Sequence, residues 1–139
     1  MLVHGYQASR QDLLVLKNCL EIRFKVQVLI STINEGRTED SIEILGKRFA
    51  LELQRYLNDS QPTANYKLSF IGHSMGGLII RTGLCFLDNV EEHLFSYISL
   101  STPHLGYLYS PSTHIQAGLW LMKTIQKADS IEQICMRDQ

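Results

Sequence analysis

Hydrophobic residues along the chain follow two alternating patterns. Short runs rich in aliphatic and aromatic residues predict strands at residues 2–4, 26–30, 66–71 and 95–100. Between these runs, apolar residues spaced three or four apart predict helices at residues 9–24, 42–57 and 78–87. Because strands alternate with helices, we expect an α/β architecture in which crossover helices join the parallel strands of an open, doubly wound sheet.

Polar residues predict where the helices begin. Ser9 is expected to cap the first helix, and Asp40 with Glu43 forms a capping arrangement before the second. Residues 34–40 are predicted to be a polar loop. The apolar stripe expected to bury the second helix consists of Ile42, Leu45, Phe49, Leu53 and Leu57.

Composition and charge fit a compact domain. The chain has 139 residues, of which 45% are hydrophobic and 19% charged. This is enough for one hydrophobic core, so we expect residues 1–139 to belong to a single domain. The formal net charge of -1 gives no basic footprint, which argues against nucleic acid as a partner.

The three cysteines, Cys19, Cys85 and Cys135, are widely spaced and form no Cys-x-x-Cys pair. Neither a disulfide framework nor a zinc site is therefore expected, and reduced thiols indicate a cytoplasmic location. No apolar run approaches the ~20 residues that span a bilayer, and no secretory signal is recognisable. We expect neither secretion nor membrane insertion.

The most informative motif is Gly72-His73-Ser74-Met75-Gly76, followed at once by Gly77. It lies between a predicted strand and a predicted helix, which is the arrangement of a nucleophile elbow. A serine at the tip of such a sharp turn needs glycine two residues away on each side, because a larger side chain would collide there. Ser74 is therefore the candidate nucleophile. The alternative is a tight helix-opening turn without catalytic meaning.

A second motif, Leu2-Val3-His4-Gly5-Tyr6, runs from a buried strand into a polar loop. In folds with a nucleophile elbow, such a strand end commonly supplies one oxyanion donor, and the residue after the nucleophile supplies the other. The candidate donors are the backbone N–H groups of Tyr6 and Met75. His73 is expected to pack beside this oxyanion site. The alternative for His4 is a strand-end histidine that hydrogen-bonds the loop.

Two further segments, Asn-Glu-Gly-Arg-Thr at 34–38 and Ser-Thr-Pro-His-Leu-Gly at 101–106, complete a recognisable pattern. With His4-Gly5 and the elbow, the chain resembles the lipase-like serine esterases of the α/β-hydrolase superfamily along nearly its whole length. The resemblance implies an α/β-hydrolase fold with a partial, doubly wound, mostly parallel sheet and flanking helices. The family includes lipase-like domains at the C-terminal end of large animal proteins, so we expect other domains of a larger parent protein.

The resemblance also implies a reaction, the hydrolysis of carboxylic esters through an acyl-enzyme formed on Ser74, with lipid esters as the favoured substrates. Side chains carry the proton transfers in such a reaction, so no metal and no organic cofactor is expected. The runner-up is a catalytically silent α/β-hydrolase-like module that binds a protein or a lipid.

The catalytic acid and base are not identifiable in the chain. An α/β-hydrolase orders its triad as serine, acid, then histidine. Asp88 is expected about 20 Å from Ser74, at the far end of the following helix, and Glu91 and Glu92 just beyond that end. The later acids have no histidine after them. We therefore expect the domain to be incomplete in this chain, with its acid and base outside residues 1–139.

His104 follows a predicted strand, on the edge where such sheets carry their active sites. Because the resemblance places the Thr-Pro-His segment well before the triad acid and base, we interpret His104 as a loop residue near the site. A direct catalytic role is the less favoured alternative.

Residues 107–128 contain a broad apolar stripe. Lipase-like folds often insert such a helix as a cap or lid over the nucleophile, where it builds the acyl pocket and contacts a lipid or membrane surface. A helix that faces the core is an equal alternative. The apolar positions are Ile115, Leu119, Trp120, Leu121, Met122 and Ile125.

Overall fold

The computed structural model describes residues 1–62, 65–106 and 129–135. These contain a parallel three-stranded sheet with the order β1 (Leu2–Val3), β2 (Leu68–His73) and β3 (Leu94–Leu100). Val3 lies opposite Gly72 in the β1–β2 pair, and Gly72 lies opposite Ser99 in the β2–β3 pair. The predicted parallel α/β architecture is confirmed.

Four α-helices accompany the sheet in the described part of the chain. They are α1 (Leu14–Phe24), α2 (Ile42–Ser60), α3 (Met75–Leu84) and α4 (Asp129–Ile134), with 3₁₀ turns at Arg10–Leu13 and Glu91–His93. Within the described residues, none of the helices is both long enough and apolar enough to cross a bilayer.

The two faces of the sheet are covered by different helices. Val3 and Phe70 point towards α2 and α3 and belong to the main core. Leu2 and Ile71 point to the opposite face, because successive strand residues alternate, and they pack near α1. The buried residues of the main core are Val3, Leu45, Phe49, Ala50, Leu53, Phe70, Met75, Ile79, Ile80, Leu87, Val90 and Ile134.

The elbow helix begins three residues earlier than predicted. α3 starts at Met75 and ends at Leu84, whereas the pattern predicted residues 78–87. Gly76 and Gly77 have low helix propensity, which favoured a later start, but buried packing of the first turn overrides that preference. Because β2 also extends to His73, strand and helix meet directly at Ser74.

The helix predicted at residues 9–24 consists of two elements. Ser9 is an N-cap, as predicted, but it caps the short 3₁₀ helix Arg10–Leu13 through a capping box with Asp12. α1 follows it from Leu14. The Ser9 N–H donates to the Asp12 carboxylate at 2.8 Å, so the loop after β1 is held in a defined turn.

The capping prediction for the second helix is wrong by one residue. The N-cap is Ser41, whose Oγ accepts a hydrogen bond from the Ile44 N–H at 3.4 Å. Asp40 instead forms an ion pair with Arg48 at 2.6 Å. Aspartate and serine are both favoured N-cap residues. Which of the two caps the helix depends on how the helix packs against the core.

The strand predicted at residues 26–30 is reduced to a single bridge between Ile30 and Leu2. The Leu2 N–H donates to the Leu29 carbonyl at 2.7 Å, and the Ser31 N–H donates to the Leu2 carbonyl at 2.8 Å. Val26 is exposed. A strand can pair only as far as its neighbour extends, and β1 has just two residues.

Replacement of Phe49 by alanine is expected to destabilise the domain by about 3–5 kcal/mol. Phe49 is fully buried at 0% exposure, and its ring packs edge-on against Phe70 at 5.9 Å. The matched control is Phe24→Ala, since Phe24 is 63% exposed and should change stability by less than about 0.5 kcal/mol. Urea unfolding of both variants measures the difference, and equal losses would contradict the assignment of the core.

Candidate active site

Ser74 occupies the turn between β2 and α3 with a strained backbone, at φ 54° and ψ -127°. Residues other than glycine rarely adopt this conformation, which costs on the order of 1–3 kcal/mol. Two hydrogen bonds hold the turn. The Ser74 N–H donates to the Leu100 carbonyl at 2.8 Å, and the Ser74 carbonyl accepts from the Gly77 N–H at 3.2 Å.

Gly72 and Gly76 allow backbone segments to approach on either side of Ser74. A methyl group on Gly72 would lie 2.5 Å from the backbone nitrogen of Gly77. One on Gly76 would overlap the Val3 carbonyl and lie 2.7 Å from the His4 carbonyl oxygen. Since these obstacles are backbone atoms, they cannot move aside without shifting a strand. A side chain larger than that of glycine would therefore collide with backbone atoms at position 72 and at position 76.

The end of β1 lies against the nucleophile candidate. A methyl group on Gly5 would lie 2.9 Å from Ser74 Cβ and 3.3 Å from Ser74 Oγ. His4, which is 2% exposed, places its Nδ1 at 3.0 Å from the Gly5 carbonyl oxygen. Because a carbonyl can only accept, this contact requires a proton on Nδ1. The structure thus brings the two predicted motifs together.

The predicted oxyanion donors, Tyr6 and Met75, flank this contact in sequence. Met75 is the first residue of α3, so its N–H is one of the N-terminal donors of the helix. Tyr6 directly follows Gly5. Burial, and secondarily the charge of Glu39, raises the pKa of the Tyr6 phenol above its ordinary value, so its hydroxyl stays protonated at neutral pH.

His104 is held at both ring nitrogens. Arg81 Nη1 lies 2.9 Å from its Nδ1, and Ser99 Oγ lies 2.9 Å from its Nε2. A guanidinium can only donate, so Nδ1 accepts and the ring proton sits on Nε2, which donates to Ser99. Tyr97 packs edge-on against this ring at 6.3 Å and donates its hydroxyl to the Gly77 carbonyl. His104 therefore links β3 to the elbow helix.

In the part of the chain that the structure describes, no histidine or carboxylate hydrogen-bonds Ser74 Oγ. His73, which is expected to pack beside the oxyanion site, is an exposed residue at the end of β2. The same described residues contain no group of histidine, cysteine and acidic side chains that could hold a metal ion. None of the three cysteines, Cys19, Cys85 and Cys135, forms a disulfide.

A cavity of about 500 Å³ flanks α3. Leu78, Arg81 and His104 contribute to its wall, together with Pro103 and Ile134. Ser74 does not line it, so we do not assign this cavity to the reacting atoms. The cap predicted at residues 107–128 lies outside the described residues.

Two buried polar residues went unnoticed in the sequence. Asn34 and Thr38, which are 2% and 1% exposed, belong to the segment predicted to be a polar loop. The Thr38 hydroxyl accepts the Gln7 N–H at 2.9 Å, one residue beyond Tyr6. Hydropathy alone predicts that asparagine and threonine lie at the surface. The only sequence feature that singled out Asn34 and Thr38 is that they belong to a segment that carries the family resemblance.

Gly76→Ala is expected to destabilise the domain by more than Gly36→Ala. The Gly76 methyl group would overlap backbone carbonyls, whereas that of Gly36 meets nothing within 4 Å and suffers only from a positive φ of 69°. The control should lose about 1–2 kcal/mol, and the elbow variant more. Urea unfolding measures both. A smaller loss at Gly76 would contradict the close packing of α3 on β1.

The two histidines of the loops around β3 are expected to carry their protons on opposite nitrogens. His104 has its proton on Nε2, because Nδ1 faces Arg81. His93 has its proton on Nδ1, which lies 3.2 Å from the Tyr66 carbonyl oxygen. Long-range ¹H–¹⁵N spectra at alkaline pH distinguish these tautomers. A proton on Nδ1 of His104 would contradict its contact with Arg81.

Comparison with known proteins gives the chain a family. All of residues 1–139 match the model of the family described as "Putative serine esterase (DUF676)". Two Saccharomyces cerevisiae proteins are similar to the chain. The "Putative lipase YDL109C" is 32% identical over 92 residues, and the "Putative lipase ROG1" is 29% identical over 89 residues. These alignments cover 62% and 60% of this chain but only 14% and 13% of the yeast proteins, about one seventh of their length.

Solved structures show the fold. The lipase BlEst2 of Bacillus licheniformis in its mature form matches with a TM-score of 0.64 at 20% identity, over 98% of this chain and 54% of the lipase. Its propeptide form matches with a TM-score of 0.65 at 21% identity, over 96% and 28%. The predicted α/β-hydrolase fold is thus confirmed. Since the family match spans every residue, the chain belongs to the family described as "Putative serine esterase (DUF676)".

Proposed function

We propose that this chain carries the nucleophile of a serine hydrolase that cleaves carboxylic esters. The observation that carries the proposal is the backbone of Ser74, strained at φ 54° and ψ -127° between β2 and α3. Proteins retain strain of this kind where it serves a mechanism, and here it presents a serine hydroxyl at the C-terminal edge of a parallel sheet. Family membership supports the same reaction class.

In the proposed reaction, Ser74 Oγ attacks the ester carbonyl and loses its proton to a general base. The carbonyl oxygen becomes an oxyanion, which accepts hydrogen bonds from the N–H groups of Met75 and Tyr6. Collapse of the tetrahedral intermediate breaks the bond to the alcohol, which leaves with the proton. Water then attacks the acyl-enzyme by the same route, releasing the carboxylic acid and restoring Ser74.

The proposed base is a histidine from outside the described residues. His104 does not fit the role, since its Nε2 proton points at Ser99 and its Nδ1 accepts from Arg81. The acids Asp88, Glu91 and Glu92 are exposed. An α/β-hydrolase triad places its acid and histidine after the serine in chain order, so the sequence that follows β3 is where we expect both.

Lipid esters are the proposed substrates, because both yeast relatives carry the description "Putative lipase". The stripe at residues 107–128 supports a cap that shapes an acyl pocket and touches a lipid or membrane surface. Further domains are proposed because the matched regions make up only 14% and 13% of the yeast relatives. The three cysteines, none of which forms a disulfide, support a reducing, cytoplasmic setting.

The second candidate is a silent α/β-hydrolase-like binding module. The absence of a base beside Ser74 Oγ within the described residues favours it. The strained backbone argues against it, because a module without chemistry would gain stability from a relaxed turn. An acid followed by a histidine, each after a predicted strand beyond β3, would favour the enzyme.

A fluorophosphonate probe is expected to label Ser74 of the full-length protein. Ser74→Ala should abolish labelling and lower hydrolysis of a p-nitrophenyl ester by at least about a thousandfold, because the covalent step is lost. Ser69→Ala is the matched control, since Ser69 is an exposed serine of β2. It should label like the wild type. Equal labelling of the Ser74 variant would refute the nucleophile, and a wild type that never labels would favour the silent module.

A further inference from the structure

Residues 34–38 hold the loop that carries Tyr6 at two points. The Thr38 hydroxyl oxygen accepts the backbone N–H of Gln7 at 2.9 Å. The Glu35 carboxylate accepts the backbone N–H of Arg10 at 2.5 Å. Both donors lie in the connection between β1 and α1, with Gln7 inside its turn and Arg10 after it. Two side chains from one segment thus bind two backbone groups of the other.

The holding segment is itself anchored in the protein interior. The Ser130 hydroxyl of α4 donates to the Thr38 carbonyl at 2.7 Å, and Ser130 is fully buried. The Asn34 side-chain amide donates to the Leu45 carbonyl of α2 at 3.0 Å. Thr38 is 1% exposed. These contacts hold the Thr38 hydroxyl oxygen in a defined position relative to the core.

The loop needs such support because its backbone is irregular. Gln7 has a positive φ of 50°, which is unfavourable for a residue other than glycine. The turn that begins at Gly5 is closed by a long hydrogen bond of 3.3 Å from the Ala8 N–H to the Gly5 carbonyl. The Gln7 N–H belongs to the peptide group that follows Tyr6. Fixing that group limits the rotation of Tyr6 and so the direction of the Tyr6 N–H.

We propose that Thr38 is a positioning residue that aims the backbone N–H of Tyr6 at the oxyanion. This inference rests on the proposed function, since it assigns a support to one of its two oxyanion donors. Thr38 itself is not proposed to contact the substrate. It acts through the hydrogen bond to Gln7, and it gives the Asn-Glu-Gly-Arg-Thr segment a role in the site.

Removal of the hydroxyl should act on the transition state more than on substrate binding. An oxyanion donor gains most of its interaction when charge develops on the carbonyl oxygen, so its misalignment lowers kcat. Thr38→Val keeps the branched shape but leaves the Gln7 N–H without this acceptor. Thr38→Ser keeps the acceptor and removes a methyl group.

The test compares these two variants in the full-length protein. Thr38→Val is expected to lower kcat for a p-nitrophenyl ester by about 10- to 100-fold with KM changed by less than about twofold. Thr38→Ser should recover kcat to within about threefold of the wild type. Amide hydrogen exchange at Gln7 should accelerate at least about tenfold in Thr38→Val and stay near the wild-type rate in Thr38→Ser. Urea unfolding confirms that both variants are folded.

Two results would overturn the inference. One is wild-type protection of the Gln7 amide in Thr38→Val, and the other is equal loss of kcat in both variants, as expected for a purely structural residue. Failure of the proposed function looks different, because then the wild type itself shows no Ser74-dependent hydrolysis. In that event the exchange rates still decide whether Thr38 holds the loop.

Discussion

The backbone of Ser74 is the constraint on which the rest of the structure depends. Its φ of 54° is unfavourable, and the turn persists because its surroundings fix it from several directions. The Leu100 carbonyl at the end of β3 accepts its N–H, while Gly76 packs directly on the carbonyls at the end of β1. The elbow therefore depends on the ends of all three strands lying next to one another. The segment Gly72 to Gly77 needs these contacts to hold its turn, so the sheet determines the position of Ser74.

Strand register accounts for the neighbour of Ser74. Val3 lies opposite Gly72, so a continuation by two residues along each parallel strand places Gly5 opposite Ser74. The close approach of Gly5 to Ser74 Oγ follows from that register. The same reasoning applied to β2 and β3 places Ser101 opposite Ser74, and Ser101 also has a positive φ, of 53°. Both strands thus turn sharply at the same edge, which is the edge where parallel sheets carry their sites.

Local patterns predicted the features that local geometry determines. The elbow glycines, the strand before them and the order of elements were recognisable because each depends on a few adjacent residues. The start of α3 at Met75, the N-cap at Ser41 and the single bridge at Ile30 were missed, because each depends on packing or pairing with a distant segment. Burial of Thr38 was missed for the same reason, since its partners are 31 and 92 residues away along the chain.

A histidine near the C-terminal edge of the sheet can act as a general base only if its hydrogen bonds leave the correct ring nitrogen unprotonated. A triad histidine needs a proton on one ring nitrogen, facing an acid, and a free lone pair on the other, facing the serine. At His104 the order is reversed, because Arg81 can only donate to Nδ1 and so forces the proton onto Nε2. At His4 and His93, Nδ1 faces a backbone carbonyl, which sets the tautomer but supplies no negative charge to stabilise an imidazolium. What a base for Ser74 requires is therefore a carboxylate partner, and its position depends on long-range contacts that the nucleophile motif does not encode.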